Sequence, residues 1–166
     1  MTGVARWLDG IEEQAAGLLP PEIQAYFRRG AGQGLSAAEA APAWDGFRLR
    51  PHILRDVSRC ETSTTVLVDA AAGTGVEVYV DGGLRRGTHI FAVLALGARA
   101  VFVGRPALWA LSLAGAAGVT RLIGELTAEL VETMRLTGVP ELPAIGRDLL
   151  HLPAEVSHSV GSPRVR

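Results

Sequence analysis

The stretch of this sequence that most limits its fold is VYVDGGLRRGTHIFAVLALGARAVFVGRP, residues 78–106. Two short apolar runs, VEVYV (76–80) and AVFVG (100–104), each end in a glycine-bearing turn, and a helical pattern lies between them over 87–98. Runs that are apolar on both faces are typical of parallel strands covered by helices on both sides. The stretch therefore predicts one right-handed βαβ unit, and with it an α/β fold.

The two turns carry similar chemistry. Their polar and glycine residues are Asp81, Gly82, Gly83 and Arg85 after the first strand, and Gly104 and Arg105 after the second. Glycine lets backbone N–H groups approach an anion, a helix N-terminus adds positive potential, and arginine matches phosphate oxygens. Parallel strands bring such turns to one edge, as between the last two strands of a β/α barrel. The pattern favours a phosphate site, although glycine turns after strands are often purely structural.

Helices are predicted on both sides of this unit. They cover 4–18, 21–30 from Pro21 to Gly30, 36–41 with Ser36 as N-cap and Pro42 as its end, a helix opening at Pro106, and 118–138 ending at Gly138. In the last helix one apolar stripe is assigned to the core: Val119, Leu122, Ile123, Leu126, Leu130, Val131 and Met134. Residues 68–73 are predicted to end a helix, and the chain is expected to fray from His151 onward.

Composition excludes several classes of function. A net charge of −1 gives no field that attracts nucleic acid. Cys60, the single cysteine, gives neither a disulfide framework nor a multi-cysteine zinc site, and it is expected to be a partly buried hydrophobe. The N-terminus has acidic residues where a signal peptide is apolar, and no apolar run of about 18 residues is evident, so a cytoplasmic protein without a membrane partner is expected. All 16 basic residues are arginine, which excludes any mechanism that needs a lysine of this chain.

Longer segments of the sequence resemble a known family. DGGLRRGTHIFAVLALGARAVFVGRP, LPPEIQAYFRRGAG, FRLRPHILRDVSRCETSTTVL and ELPAIGRDLL are similar to segments of the FMN-dependent α-hydroxy acid oxidases and dehydrogenases, such as glycolate oxidase, lactate oxidase and mandelate dehydrogenase. The resemblance covers roughly residues 5–150. It implies a fragment of a TIM (β/α)8 barrel, with the N-terminal helices, the last βαβ unit (strands seven and eight) and the C-terminal helices.

The centre of the family's barrel has no counterpart in this sequence. Leu67 is followed at once by VDAAAGTGVEV, which resembles the helix and strand just before the DGG turn. A full barrel takes about 250 residues, more than this chain contains. The implied division is a helical segment and barrel entry over 1–67, a βαβα part of the dehydrogenase domain over 68–150, and a flexible tail over 151–166.

The resemblance also assigns roles to individual residues. Asp81, Gly82, Gly83, Leu84 and Arg85 match the family's first FMN-phosphate segment, and Gly104 and Arg105 match the second. Tyr26 matches the tyrosine that helps to hold the substrate carboxylate. An aromatic residue on an amphipathic helix beside Phe27 is the alternative interpretation of Tyr26, and it is favoured because the rest of that pocket is missing.

No residue of this chain matches the family's catalytic centre. Its base is a histidine in an S-N-H-G segment, followed by an arginine for the carboxylate and accompanied by a flavin-stabilising lysine; none of these is present. The four histidines lie outside that motif: His52, His89, His151 and His158. His89 stands where the family usually has aspartate and is expected at the surface. No catalytic residue and no metal ligand is therefore assigned.

Three functional hypotheses follow. The first is a truncated FMN-dependent α-hydroxy acid oxidoreductase that keeps the FMN-phosphate site without its base. The second is a non-catalytic module that binds FMN or phosphate weakly, or that pairs with a partner supplying the missing strands, and the third is a degenerate gene product. A small 2-hydroxy acid is expected as a ligand only if a partner completes the pocket. The open edges of the two strands favour a homo-oligomer.

Overall fold

The computed structural model describes residues 4–30, 32–64 and 77–151, which are mostly helical with four short strands. The elements are α1 (Val4–Ala16), α2 (Pro21–Arg28), α3 (Leu35–Asp45), β1 (Arg48–Leu49), β2 (Tyr79–Val80), α4 (Gly87–Ala95), β3 (Ala100–Val101), α5 (Arg105–Thr137), two short 3₁₀ helices (Leu142–Ala144 and Arg147–Leu149) and β4 (Leu150–His151). The helix end expected over 68–73 lies outside the described residues, as does the proposed boundary between 67 and 68.

The predicted βαβ unit is present. β2 and β3 are parallel, with Tyr79 opposite Ala100 and Val80 opposite Val101, and α4 connects them. Hydrogen bonds from the Arg99 amide to the Val78 carbonyl (2.8 Å) and from the Phe102 amide to the Val80 carbonyl (2.9 Å) continue the pairing at both ends. The regular strands are shorter than the apolar runs, but they bring both glycine turns to one edge.

A second pair of strands is antiparallel, and it shows that the prediction of a frayed chain from His151 onward is wrong at His151. β4 pairs with β1, and His151 lies opposite Arg48. The Arg50 amide also donates to the Leu149 carbonyl at 2.7 Å. His151 is therefore part of a strand, because the chain returns from α5 to cover the residues after α3. Residues 152–166 lie outside the described part of the chain.

Two apolar clusters hold the helices together. One joins α4 to the second half of α5 and to the C-terminal segment through Phe91, Ala92, Ala95, Leu130, Met134, Val139, Ile145, Leu149 and Leu150. The other joins α1 to α5 through Leu8, Ile11, Ala15, Trp109, Ala110, Leu122 and Leu126. α5 is thus shared by both clusters and connects the two ends of the chain.

The helix α5 contains both predicted helices, joined across a break. Ala114 and Gly115 have non-helical backbone angles, with φ of +57° at Gly115. Gly118 lies against the first half, because a Cβ at that position would be 2.0 Å from the Ala110 carbonyl oxygen. Gly138 ends the helix in the left-handed conformation, as its position in the sequence predicts.

Three sequence expectations in the helices are wrong. α3 begins after Gly34 rather than Ser36, and it continues through Pro42 to Asp45. Pro42 removes one backbone donor, yet the alanines around it are strong helix formers and the helix continues. In the α5 stripe Ile123 is 60% exposed. It points about 100° away from Leu122 around the helix, beyond the face that packs against α1.

The hydropathy of α5 also departs from expectation. Among the described residues it is the one helix long and apolar enough to cross a membrane by length and composition alone, with an 18-residue window of mean hydropathy 1.4. The core helix of a soluble protein passes the same test when it is mostly buried, whereas 22% of this window is buried. Leu130 and Met134, which are buried in the core, lie in the more charged second half of α5.

Candidate functional site

The two arginines of the glycine turns lie close together. β2 and β3 end at the same edge, and α5 starts at Arg105, one helical turn before Trp109. The guanidinium carbon of Arg85 lies 5.0 Å from the centroid of the Trp109 ring. Burial lowers the pKa of Arg85, and the nearby charge of Arg105 lowers it further. Both side chains remain cationic, so two positive charges are concentrated at this edge.

No carboxylate in the described part of the chain neutralises these arginines by direct contact. Neither Arg85 nor Arg105 forms an ion pair there, and Arg85 donates instead to the Leu84 carbonyl at 2.9 Å. Glu12 and Asp81 raise the pKa of Arg85 only as more distant charges. A bound anion would relieve the repulsion between the two guanidinium groups and bond to both.

The glycines of the turns have different surroundings. Gly82 and Gly104 have open space where a Cβ would stand, so a ligand can approach their backbone. A Cβ on Gly83, in contrast, would be 2.1 Å from the Ala40 carbonyl oxygen of α3. The Gly82 amide donates to the Asp81 carboxylate at 2.7 Å, and Leu84 is buried. Gly83 and Leu84 thus serve packing, and Asp81 holds the turn.

The N-termini of α4 and α5 differ in what they contact. The Gly87 amide at the start of α4 donates to Glu129 Oε2 at 2.8 Å, and Arg86 pairs with the other oxygen of the same carboxylate at 3.2 Å. A carboxylate of the chain itself therefore occupies the start of α4. No side chain of the described residues caps the start of α5 at Gly104 and Arg105. The helix potential available to an external anion is that of α5.

The second half of α3 covers the first glycine turn. The indole Nε1–H of Trp44 donates to the Gly82 carbonyl at 2.9 Å, and Trp44 stacks on Phe47 with ring centroids 5.7 Å apart. Ala40 approaches Gly83, as described above. The sequence gives no local sign of this contact, since α3 and the turn are about 40 residues apart.

His89 is buried, with 5% of its surface exposed, so its expected place at the surface is wrong. Its Nε2 lies 3.0 Å from Asp45 Oδ1, and its Nδ1 accepts from the Arg85 amide at 3.3 Å. Because a backbone amide can only donate, Nδ1 is an acceptor and the ring proton is on Nε2. Both nitrogens have partners within the protein, so neither is available to take a proton from a substrate.

Arg85 and His89 also line a cleft of about 480 Å³ between α1, the end of α3 and the start of α4. Asp9, Glu12 and Asp45 contribute acidic groups to its wall. Arg86 pairs with Asp9 and with Glu129, and Glu12 pairs with Arg28. Arg85 and Arg105, in contrast, form no ion pair with another described residue.

Other sequence-based candidates lie away from this cleft. Tyr26 is 74% exposed beside Phe27, with ring centroids 6.1 Å apart, and it does not line the cleft. His52 is exposed and lies 3.1 Å from Asp148. Cys60 is half-buried against the core, as expected. The described residues contain no cluster of three or more potential metal ligands, and His158 lies outside them.

Comparison with known proteins gives consistent matches. The sequence profile of the FMN-dependent dehydrogenase family matches residues 15–69 and 67–152. The chain is 48% identical over 83 residues to an L-lactate oxidase of Nostoc sp., covering 50% of this chain and 23% of that protein. It is 36% identical over 157 residues to a peroxisomal (S)-2-hydroxyacid oxidase of Arabidopsis thaliana, covering 93% of this chain and 40% of that protein.

A flavocytochrome b2 variant with pyruvate bound is 44% identical, with a TM-score of 0.47, and the match covers 54% of this chain and 23% of that one. A soluble mutant of (S)-mandelate dehydrogenase from Pseudomonas putida is 38% identical, with a TM-score of 0.46, over 49% of this chain and 23% of that one. The chain thus spans about a quarter to two fifths of the length of these proteins.

The two glycines of the first turn give a matched pair of substitutions. Gly82→Ala places a side chain at φ of +105° in open space, and its expected cost is the backbone strain of about 1–2 kcal/mol. Gly83→Ala adds the clash with Ala40, so its loss of unfolding free energy should exceed that of Gly82→Ala. Urea unfolding of both variants measures this order. Equal losses would show that α3 does not lie against Gly83.

Proposed function

Because the chain belongs to the FMN-dependent dehydrogenase family, we propose that it is a shortened member that keeps the FMN-phosphate turns and lacks the catalytic base. The observation that carries this proposal is the pair Arg85 and Arg105, whose charges act on each other at the β2–β3 edge while neither forms an ion pair with a carboxylate of the described residues. FMN is the cofactor of this family. Its phosphate is the anion to which the pair is assigned.

The residues present fit the phosphate end of FMN. Arg85 and Arg105 would donate to its oxygens, the open backbone at Gly104 would let it approach, and the start of α5 would add positive potential. Gly82 has the same open space, although its amide is held by Asp81. Gly83 and Leu84 would support the turn from behind by packing. Bound FMN would supply a flavin ring able to accept the two electrons of a 2-hydroxy acid.

The residues that would cover the flavin ring are fewer. β2 and β3 are the only parallel strands among the described residues, and each has two residues of regular pairing. We propose that they correspond to the last two strands of the family's barrel and that the preceding six are missing. The meeting of the two profile matches at residues 67–69 supports an internal loss. FMN would therefore be held mainly by its phosphate.

No side chain of the described residues is arranged as a base. His89 has both nitrogens occupied, His52 is exposed beside Asp148, and His151 lies in β4. The chain has no lysine to stabilise a reduced flavin. A positioned base contributes about 10²–10⁴-fold to proton abstraction. According to this proposal, the chain binds the cofactor of the family but does not carry out the family's reaction by itself.

The proposed domain organisation has a helical entry over 1–67 and a βαβα part over 68–150. α1 packs against α5, and α3 packs against the first glycine turn, so the two parts are in direct contact. Because His151 lies in β4, the proposed tail comprises residues 152–166. Tyr26 would meet a substrate carboxylate only if another chain completed the pocket. The cytoplasmic location and the lack of a nucleic-acid partner stay predictions.

A non-catalytic module that binds phosphate or FMN is the alternative, and the same arginine pair favours it. The absorbance spectrum of the purified protein between the near-ultraviolet and the blue tests both hypotheses against a degenerate gene product. A flavin spectrum that disappears on dialysis against phosphate supports a cofactor held by its phosphate. Turnover of a 2-hydroxy acid then separates the oxidoreductase from the module.

We expect no oxidation of glycolate, lactate or mandelate by the isolated chain, even with added FMN, because no base is positioned. Reduction of a dye acceptor measures this activity. Robust dye reduction that is lost on FMN removal and restored by adding FMN would show that another residue has taken the role of the base.

We expect Arg105→Ala to weaken FMN binding by about tenfold or more, because a charge-assisted hydrogen bond contributes about 1.5–3 kcal/mol. Inorganic phosphate should compete with FMN in both proteins. Arg135→Ala, at the other end of α5, is the matched control and should leave the affinity unchanged. Fluorescence titration of FMN measures both. Submicromolar binding that Arg105→Ala does not alter would place FMN elsewhere.

We expect self-association, because the β2–β3 pair leaves apolar side chains exposed. Val78 is 53% and Phe102 60% exposed, and among the described residues neither strand has a second neighbour. Light scattering should show a dimer or larger species at about 100 μM, a concentration at which contacts of even modest affinity are populated. A monodisperse, thermally stable monomer would show that these strands need no partner.

A further inference from the structure

One group of contacts connects the N-terminal helices to the proposed anion site. The second half of α3 contacts the 82–85 turn through Trp44 at the Gly82 carbonyl and Ala40 at Gly83. A third connection runs from Asp45 through the ring of His89 to the Arg85 amide. The first two contacts fix the glycines, and the third reaches the arginine itself.

The ring of His89 is held in one state by these partners. Its side chain is 6% exposed, while the carboxylate of Asp45 is 73% exposed. Asp45 accepts a hydrogen bond from Nε2–H, and the Nδ1 lone pair accepts one from the Arg85 amide. Arg85 belongs to the loop before α4, so its amide has no partner from that helix's own hydrogen bonds.

We propose that His89 positions Arg85 for anion binding. Asp45 holds the neutral His89 ring, and the Nδ1 of that ring accepts a hydrogen bond from the Arg85 amide. This hydrogen bond fixes the Arg85 backbone and thereby the place of the Arg85 guanidinium over Trp109. The inference rests on the proposed function, because the anion bound by Arg85 and Arg105 is the phosphate proposed there. His89 touches neither the anion nor a substrate and acts only through the backbone of Arg85.

The contact between His89 and Arg85 depends on the protonation state of the imidazole ring. A protonated ring carries hydrogen on both nitrogens and cannot accept from Arg85. The charged groups around His89 come from every packed element: Asp45 on α3, Arg85 and Arg86 before α4, Asp9 and Glu12 on α1, and Glu129 on α5. The Arg85 contact therefore requires the neutral ring, whose Nε2–H donates to Asp45.

The first test measures the contact itself in the full chain. Nitrogen-15 NMR of the His89 ring should show a protonated Nε2 and a bare Nδ1, and the Arg85 amide should be protected from hydrogen exchange. In His89→Leu the protection should fall, while His89→Asn, whose amide oxygen can stand near the position of Nδ1, should keep part of it. His52→Leu, which removes the exposed partner of Asp148, should leave the Arg85 amide unchanged.

The second test measures anion binding with sulfate, which does not change its charge over the range in which histidines titrate. His89→Leu should bind sulfate about fivefold more weakly, the effect of one lost hydrogen bond, and His89→Asn should recover part of the loss. Sulfate binding by His89→Leu that equals that of the wild-type chain would overturn the inference.

The two tests separate this inference from the proposed function. An Arg85 amide that exchanges equally fast in the wild-type chain and in His89→Leu overturns the inference, whether or not sulfate binds. If His89→Leu fails to fold, a Nδ1-protonated ring in the wild-type chain overturns it in the same way. A His89-dependent Arg85 amide in a chain that binds no sulfate supports the inference and overturns the proposed anion site.

Discussion

The packing of α4 onto α5 is the interaction on which the rest of this structure depends. A parallel sheet of two short strands is not stable alone, so β2 and β3 remain paired only because α4 covers them and is itself held. The approach is close at Gly87, where a Cβ would be 2.3 Å from the Leu130 amide nitrogen. Phe91, Leu130 and Met134 fill the space behind it. Both glycine turns take their positions from this contact.

The same contact explains why the two helix starts at the sheet edge have different roles. Glu129 lies on the face of α5 that approaches Gly87, and its carboxylate binds the first amide of α4 and the side chain of Arg86. That negative charge offsets positive charge that would otherwise attract a ligand. Glu129 forms no ion pair with Arg85 or Arg105. The Arg85 guanidinium instead contacts the ring of Trp109. The site is therefore defined as much by where the chain has already placed a carboxylate as by where it has placed arginines.

The sequence predicts the local elements of this fold better than their contacts. Pro21, Gly138 and the apolar runs before Gly82 and Gly104 place helices and parallel strands correctly, because each acts through its immediate neighbours. The burial of His89 depends on Asp45, which is distant in sequence, and the pairing of His151 depends on Arg48. Neither could be predicted from spacing. The roles of Gly82 and Gly83 also look alike in the sequence, and only the position of α3 distinguishes them.

The break at Ala114 and Gly115 has an electrostatic consequence for the start of α5. An uninterrupted ladder of peptide hydrogen bonds would align the peptide dipoles from Arg105 to Thr137, whereas here the alignment is reset after the first half. The field of a helix terminus comes mostly from its first turn, so the short half still presents nearly full partial charge at Gly104. The second half begins a new dipole of its own. Changes of the apolar residues within 116–137 can therefore alter core packing while leaving the potential at Arg105 nearly constant.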